Sequence, residues 1–319
     1  MRVLNTVNTF IEKWMPLVTP LCLVVGVLFP EQLSRLLFLV PYAFAFMTFC
    51  GSLGSQFGDV KQVLYNPVPL VVTFFIIRFI VPLLAFLAGG LLFPQHPYFV
   101  TGMVLEFVVP SAVVSLMWVS IYRGSVPFTL SVVLIDTLLA PFLVPLSLRW
   151  FVGSNVQMDS WGMMKDLIFM VAVPAVAAIT LNQASKGKMK RLLAPKLAPF
   201  SKLALMFVVS VNSSKVSHFI RNMTPMLFAV AGAILVLAIA GYCLGWIGAL
   251  LLKQNRDVLV SMTFSSGMKN ISAGAVIAAA YFPAEVMFPV MIGTLFQQIL
   301  AAVFAQLITK RYGAGKDAG

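Results

Sequence analysis

Phe264-Ser265-Ser266-Gly267-Met268-Lys269-Asn270 sits inside an apolar segment that runs from 258 to 283. A hydrophobic segment of that length reads as a membrane span. Two hydroxyls, a glycine, an ammonium and an amide near its middle argue that the span is broken there. Irregular backbone at membrane depth is tolerated only where protein or a water-filled cavity surrounds it. The first half of the chain carries a counterpart. Val109-Pro110-Ser111 interrupts the segment 98–122, because proline donates no backbone hydrogen bond and clashes with the preceding turn. Pro110 and Gly267 are separated by close to half of the 319-residue chain.

Working outward from the two breaks, apolar segments recur at 15–30, 33–52, 68–93, 98–122, 126–150, 162–181, 199–214, 225–252, 258–283 and 285–309. The pattern predicts ten spans, five on each side of residue 155. An odd number of spans per half turns the halves in opposite directions, the signature of an inverted-repeat secondary transporter with its site at the broken helices. The expected division is 1–155 for the first repeat and 156–319 for the second. The polar stretch before Met15 followed by an apolar run is read as the lead into a first span, not as a cleaved signal.

Composition agrees. Sixty per cent of the residues are hydrophobic and only 10% are charged, against about 25% charged in ordinary soluble domains. A soluble enzyme, a disordered chain and a nucleic-acid-binding domain are poor readings. The net charge of +12 follows topology. With the N-terminus inside, the cytoplasmic loops and termini collect Lys61, Arg123, the cluster Lys186 to Lys202, Lys253, Arg256 and Lys310, among others. The opposite side holds only Arg35, Arg149, Lys165, Lys215 and Arg221. That bias predicts both termini in the cytoplasm, with the basic cluster also able to meet anionic lipid.

Four ionisable residues fall inside spans: Arg78, Glu106, Asp136 and Lys269. Charges at that depth are costly and usually face a cavity or a partner. Two are basic and two acidic, so they can balance one another; internal salt bridges and an ion or substrate site are both open readings. Gln297-Gln298 in the last span needs hydrogen-bond partners. Cys22, Cys50 and Cys243 are read as small packing residues, with no metal site or disulfide scaffold. His96 and His218 are read as loop residues. No nucleophile elbow, zinc-protease helix or phosphate-binding loop is present, so the chain is read as a non-enzyme without a cofactor.

Several stretches together resemble the bile acid:sodium symporter family. They are Pro110-Ser111-Ala112-Val113-Val114-Ser115, Tyr122-Arg123-Gly124-Ser125-Val126, Ala140-Pro141-Phe142-Leu143-Val144-Pro145, Gly267-Met268-Lys269-Asn270 and Ala278-Ala279-Ala280-Tyr281-Phe282, with Phe57, Asp59 and Asn66-Pro67 in the loop Gly54 to Pro67. The resemblance implies an all-α integral membrane protein of ten transmembrane helices in two inverted five-helix repeats. Helices 1, 2, 6 and 7 would form a panel, and helices 3–5 and 8–10 a core in which helices 4 and 9 are broken and cross.

The resemblance also marks ion positions, and there this sequence departs. One family sodium site maps to Ser115, Leu116, Thr129, Val133 and Ser265; the other maps to Arg78 and Lys269, with Ser266 and Met268 beside it. Leu116 and Val133 offer no oxygen, and a guanidinium or ammonium has no lone pair for sodium. The expectation is that the two basic side chains replace the ions as tethered charges, with Glu106 and Asp136 balancing them. The transporter is then sodium-independent; sodium coupling, and proton coupling through Lys269 or Glu106, are the alternatives. Ser111, Val113, Asn270 and Gln298 match family positions near the substrate, expected to be a small organic anion such as a carboxylate metabolite or a bile-acid-like molecule. A carrier of different cargo in the same fold, and a non-transporting membrane sensor, are the other readings. The expected setting is a bacterial cytoplasmic (inner) membrane, as monomer or homodimer, with no nucleic-acid partner.

Overall fold

A computed structural model describes residues 14, 17–55, 67–153 and 156–313. Phe57, Asp59, Asn66 and the division at 155 lie outside the described residues. Among the described residues the secondary structure is helical, with a single isolated bridge between Ser111 and Lys269. The main helices are α1 (Leu17–Leu28), α2 (Leu37–Ser52), α3 (Pro67–Leu92), α4 (Pro97–Val108), α5 (Ser115–Ile121), α6 (Val126–Val152), α7 (Ser160–Ala184), α8 (Ala194–Lys215), α9 (Pro225–Leu251), α10 (Arg256–Gly267), α11 (Ile271–Tyr281) and α12 (Ala284–Tyr312).

Six of these, α3, α6, α7, α8, α9 and α12, are long and apolar enough to cross a membrane. The chain is a multi-pass membrane protein. The exterior bears this out, since Leu91 is 81% exposed and Leu251 78%, while Asp136, Asn212 and Ser265 are fully buried. Apolar side chains outside and polar ones inside reverse the usual arrangement in water and suit hydrocarbon as the solvent.

Helix starts follow from local chemistry. Ser125, Asp159, Thr224, Asn255 and Asn270 each accept a backbone N–H from the first turn that follows, which satisfies donors the helix leaves open. Pro67, Pro97 and Pro225 open their helices, where the missing N–H is not needed.

The two expected breaks are present, and their edges are informative. Val109 ends α4 at φ −64°, ψ 155°, because a residue before proline is pushed out of the helical region. In the second half the hydroxyl-rich Phe264 to Gly267 stays helical and the break falls at Met268, φ −104°, ψ 122°. Asn270 then starts α11 by accepting the Ala273 N–H. Gly267 is required for packing, since a Cβ there would lie 2.3 Å from the Tyr242 ring.

α2 packs on α7 and α8, while α4 packs on α3, α6 and α12; α9 lies along α10 and α12. The two groups meet where α7 packs on α6 and where α8 reaches α11, one half of the second broken helix.

Candidate functional site

The two breaks are bonded to one another. Ala112 N–H donates to Met268 O at 3.1 Å, and Asn270 N–H donates to Pro110 O at 2.8 Å. Ser111 Oγ donates to Ser265 O at 3.0 Å. Side chains serve the remaining groups: Asp136 Oδ2 accepts from Ser111 N–H at 2.7 Å, and Gln297 Oε1 accepts from Lys269 N–H at 2.9 Å. Unwound backbone in a low-dielectric interior persists only when its groups are paired in this way.

Arg78 and Asp136 stand beneath the crossing. Arg78 Nε donates to Asp136 Oδ1 at 2.6 Å, and Nη1 donates to Val108 O at 2.6 Å. Val108 closes α4, and its usual helical donor, the Ala112 N–H, is given to Met268. The guanidinium therefore caps the C-terminal end of α4, where carbonyls carry partial negative charge. Asp136 is fully buried and Arg78 nearly so.

Lys269 is 2% exposed, and its Nζ donates to Ile77 O at 3.3 Å. That carbonyl is free for a reason written in α3. Residues Ile76–Ile80 form one π-helical turn, in which Val81 N–H bonds to Ile76 O. The next donor in that pattern is residue 82, a proline with no N–H. The π turn and Pro82 thus leave an acceptor, and Lys269 from the other half of the chain uses it. The two basic residues converge on neighbouring positions of one turn.

Glu106 lies within electrostatic reach of Lys269 without bonding to it. It is 4% exposed and has no ion-pair partner among the described residues. Its Oε2 lacks a hydrogen-bond partner among the described residues. Gly293 on α12 makes room for it, since a Cβ there would lie 2.1 Å from Glu106 Oε1. Asp136, by contrast, ties Arg78 to the crossing.

Beside the crossing lies a cavity of about 490 Å³. Val113, Asn270 and Gln298 line it; Ser111 is sealed beneath the crossing instead. Val113 is 39% exposed, and Gln298 Oε1 accepts from Trp118 Nε1 at 3.1 Å. Lys202 and Lys269 are the charged residues of the wall among those described, and no carboxylate joins them. The N-terminus of α11 opens beside it, with the partial positive charge of a helix start. The remaining wall is largely apolar. The arrangement suits an anion with an apolar body.

Residues 41–223 match the family described as Sodium Bile acid symporter family. The chain belongs to the sodium bile acid symporter family. This is a family of transporters. Relatives extend the likeness across most of the chain. YbaS of Bacillus subtilis (strain 168) is 40% identical over 93% of this chain and 97% of that protein. The "Uncharacterized sodium-dependent transporter YocS" of the same organism is 22% identical over 90% of this chain and 88% of that one. The "Probable sodium/metabolite cotransporter BASS1, chloroplastic" of Arabidopsis thaliana is 24% identical over 77% of this chain and 61% of that one.

In this member of the sodium bile acid symporter family, the positions marked for ions divide by surroundings. Ser115 Oγ, Thr129 Oγ1, Ser265 Oγ and Ser266 Oγ are buried and have no hydrogen-bond partner among the described residues. Leu116 and Val133 present apolar groups to the cavity wall. Met268 is buried and contributes its carbonyl to the crossing. No group of three or more His, Cys, Asp and Glu suited to a metal occurs among the described residues.

Sequence reasoning passed over Asn212, Trp118 and Thr294, which also line the cavity. An amide in the apolar run of the seventh segment was a usable signal for Asn212. Trp118 offered none, because an aromatic in a span reads as packing.

Proposed function

We propose that this protein is a secondary transporter of small organic anions that works by alternating access. In this reading ten membrane-spanning segments form two inverted five-helix repeats, 1–155 and 156–319. Helices 1, 2, 6 and 7 of the ten act as a panel against a core of the others. The protein sits in a bacterial cytoplasmic membrane with both termini inside, as a monomer or homodimer in contact with membrane lipid. The observation that carries the reading is the hydrogen-bonded crossing of two broken segments beside a cavity whose described charged residues are both cationic. A carboxylate, small or bile-acid-like, meets there the N-terminus of α11 and Asn270.

For coupling, we propose that Arg78 and Lys269 do the work of bound cations. Each supplies positive charge to a backbone carbonyl that helix geometry has left open, Val108 O in one case and Ile77 O in the other. An ion would serve the same acceptors. On this reading uptake does not require sodium. One observation favours the second reading, sodium coupling: Ser115, Thr129 and Ser265 hold three buried, unpartnered hydroxyl oxygens on helices that pack together. The names of YocS and BASS1 point the same way.

The test is uptake of radiolabelled small carboxylates into proteoliposomes, with and without sodium and with and without a pH gradient. Uptake that proceeds in potassium buffer and ignores sodium supports the first coupling. Uptake that saturates with sodium selects the second. Binding of a carboxylate without flux, unchanged by Lys269→Ala, would replace both with a sensor.

A further inference from the structure

A second groove lies on the outer surface, apart from the crossing. It runs between α9 and α12, which pack along one another. Tyr242 OH donates to Gln297 O, and the Trp246 ring centroid lies 6.1 Å from that of Tyr312. Later residues of α9 therefore meet later residues of α12, so the two helices run in the same direction. The lining extends from Ile239 to Leu250 on α9 and from Leu300 to Arg311 on α12. At about 1.5 Å per residue, either stretch is about 16 Å long. That is the depth of one leaflet, half of a hydrocarbon core about 30 Å thick.

The floor of the groove is fixed by rings. Phe304 is buried and stacks on Tyr242 with ring centroids 4.7 Å apart, and Trp246 meets it edge-on at 6.3 Å. The groove is thus preformed, with a volume of about 490 Å³. Its rims are apolar and open, with Ile247 49% and Leu307 45% exposed. Arg311 is the charged residue of the lining among those described, and no carboxylate joins it. Its guanidinium lies over the Tyr312 ring, which orients it without neutralising it, and it forms no ion pair with a described residue. Lys310 beside it and Lys253 just past α9 are also exposed. α12 has 29 residues, about 43 Å of helix, the thickness of a bilayer with its headgroups. Arg311, in the last turn, therefore stands at headgroup depth.

We propose that this groove is a binding site for an anionic phospholipid, with one acyl chain lying along α9 and α12 and the phosphate at Arg311. An acyl chain of one leaflet shares the length and the apolar character of the groove. The guanidinium supplies the charge that an anionic headgroup seeks, in a fork that suits phosphate oxygens. A zwitterionic headgroup carries its own ammonium and gains less. A second copy of this chain is the poorer occupant. The ten residues of the lining fall well short of the roughly 20–30 a side that a stable interface uses.

Cys243 lines the groove and reports on its occupancy. The experiment uses the full-length protein in detergent with Cys22→Ala and Cys50→Ala, so that Cys243 is the remaining thiol. Its rate of labelling by N-ethylmaleimide is measured against added dioleoyl phosphatidylglycerol or dioleoyl phosphatidylcholine. Phosphatidylglycerol is expected to slow labelling at about fivefold lower concentration than phosphatidylcholine, the factor that one basic residue contributes at a membrane surface. Arg311→Gln is expected to erase that difference, and Arg311→Lys to keep most of it. Leu307→Trp, which fills the groove, is expected to abolish slowing by both lipids. Should Leu307→Trp fail to accumulate, the two Arg311 variants decide the matter. Equal slowing by the two lipids, or by neither, overturns the proposal. A preference for phosphatidylglycerol that survives Arg311→Gln also overturns it, since the headgroup is then held elsewhere. Slowing that tracks dimer formation in analytical ultracentrifugation, whatever the lipid, replaces the phospholipid with a second copy of the chain.

Discussion

Arg78 and Asp136 form a buried ion pair that joins α3 and α6 to the first broken segment. The aspartate grips the guanidinium with one oxygen and the Ser111 N–H with the other. The guanidinium in turn caps Val108 at the end of α4. Removing either partner leaves an uncompensated charge in a low-dielectric interior, which costs about 3–5 kcal/mol. Asp136→Leu and Arg78→Met are each expected to lower stability by that order. The double variant is expected to fall well short of the sum, because no lone charge remains. Denaturation in detergent completes the cycle, and additive losses would show that the pair is not coupled.

Lys269 bears on coupling. If its ammonium does the work of a cation at Ile77 O, then Lys269→Gln opens a place for one. Uptake by the unaltered protein is expected to be indifferent to sodium, and uptake by Lys269→Gln is expected to be weak without sodium and stimulated by it. Paired flux assays in sodium and potassium decide this. Loss of all sodium effect in the variant would count against the tethered-charge reading.

Gly293 and Glu106 make a steric prediction. A Cβ at 293 would collide with Glu106 Oε1, and a buried carboxyl between packed helices has little room to yield. Gly293→Ala is expected to destabilise by about 1–3 kcal/mol. Adding Glu106→Ala is expected to recover much of that loss. A Gly293→Ala protein with unchanged Tm would show that α4 and α12 separate easily.

The far end of α11 is tied down twice. Lys215 Nζ on α8 donates to Ala279 O, and Tyr281 OH donates to Asp166 Oδ2 on α7. The alternating access proposed above would require those ties to part. Combining Lys215→Met with Tyr281→Phe is expected to raise the reactivity of a cysteine placed at Val113, in a background lacking Cys22, Cys50 and Cys243. An impermeant maleimide applied from the Lys215 end reads the change. Unaltered labelling would mean that the ties do not hold this end closed.

Much of the architecture could be read from residues alone, and the reason is local. A span announces itself by length and hydrophobicity, and Pro110 breaks a helix wherever it occurs. The six long helices fall on expected segments, and both breaks lie within the expected stretches. The second break was narrower than expected, because Ser265, Ser266 and Gly267 have no local reason to leave a helix. Met268 and Lys269 leave it to pair with Ala112 and Ser111 across the crossing.

What the sequence by itself determined was therefore a multi-pass membrane chain with two interrupted segments and four intramembrane charges. Only the tertiary structure decided who pairs with whom. Arg78 chose Asp136 over Glu106; Lys269 found a carbonyl freed by a π turn and a proline 187 positions away; Asn212 was left with no partner among the described residues. Hydrophobicity and helix breaking are properties of a short stretch of chain. Hydrogen bonds and ion pairs between distant residues depend on angstrom-scale distances that exist only once the helices have packed.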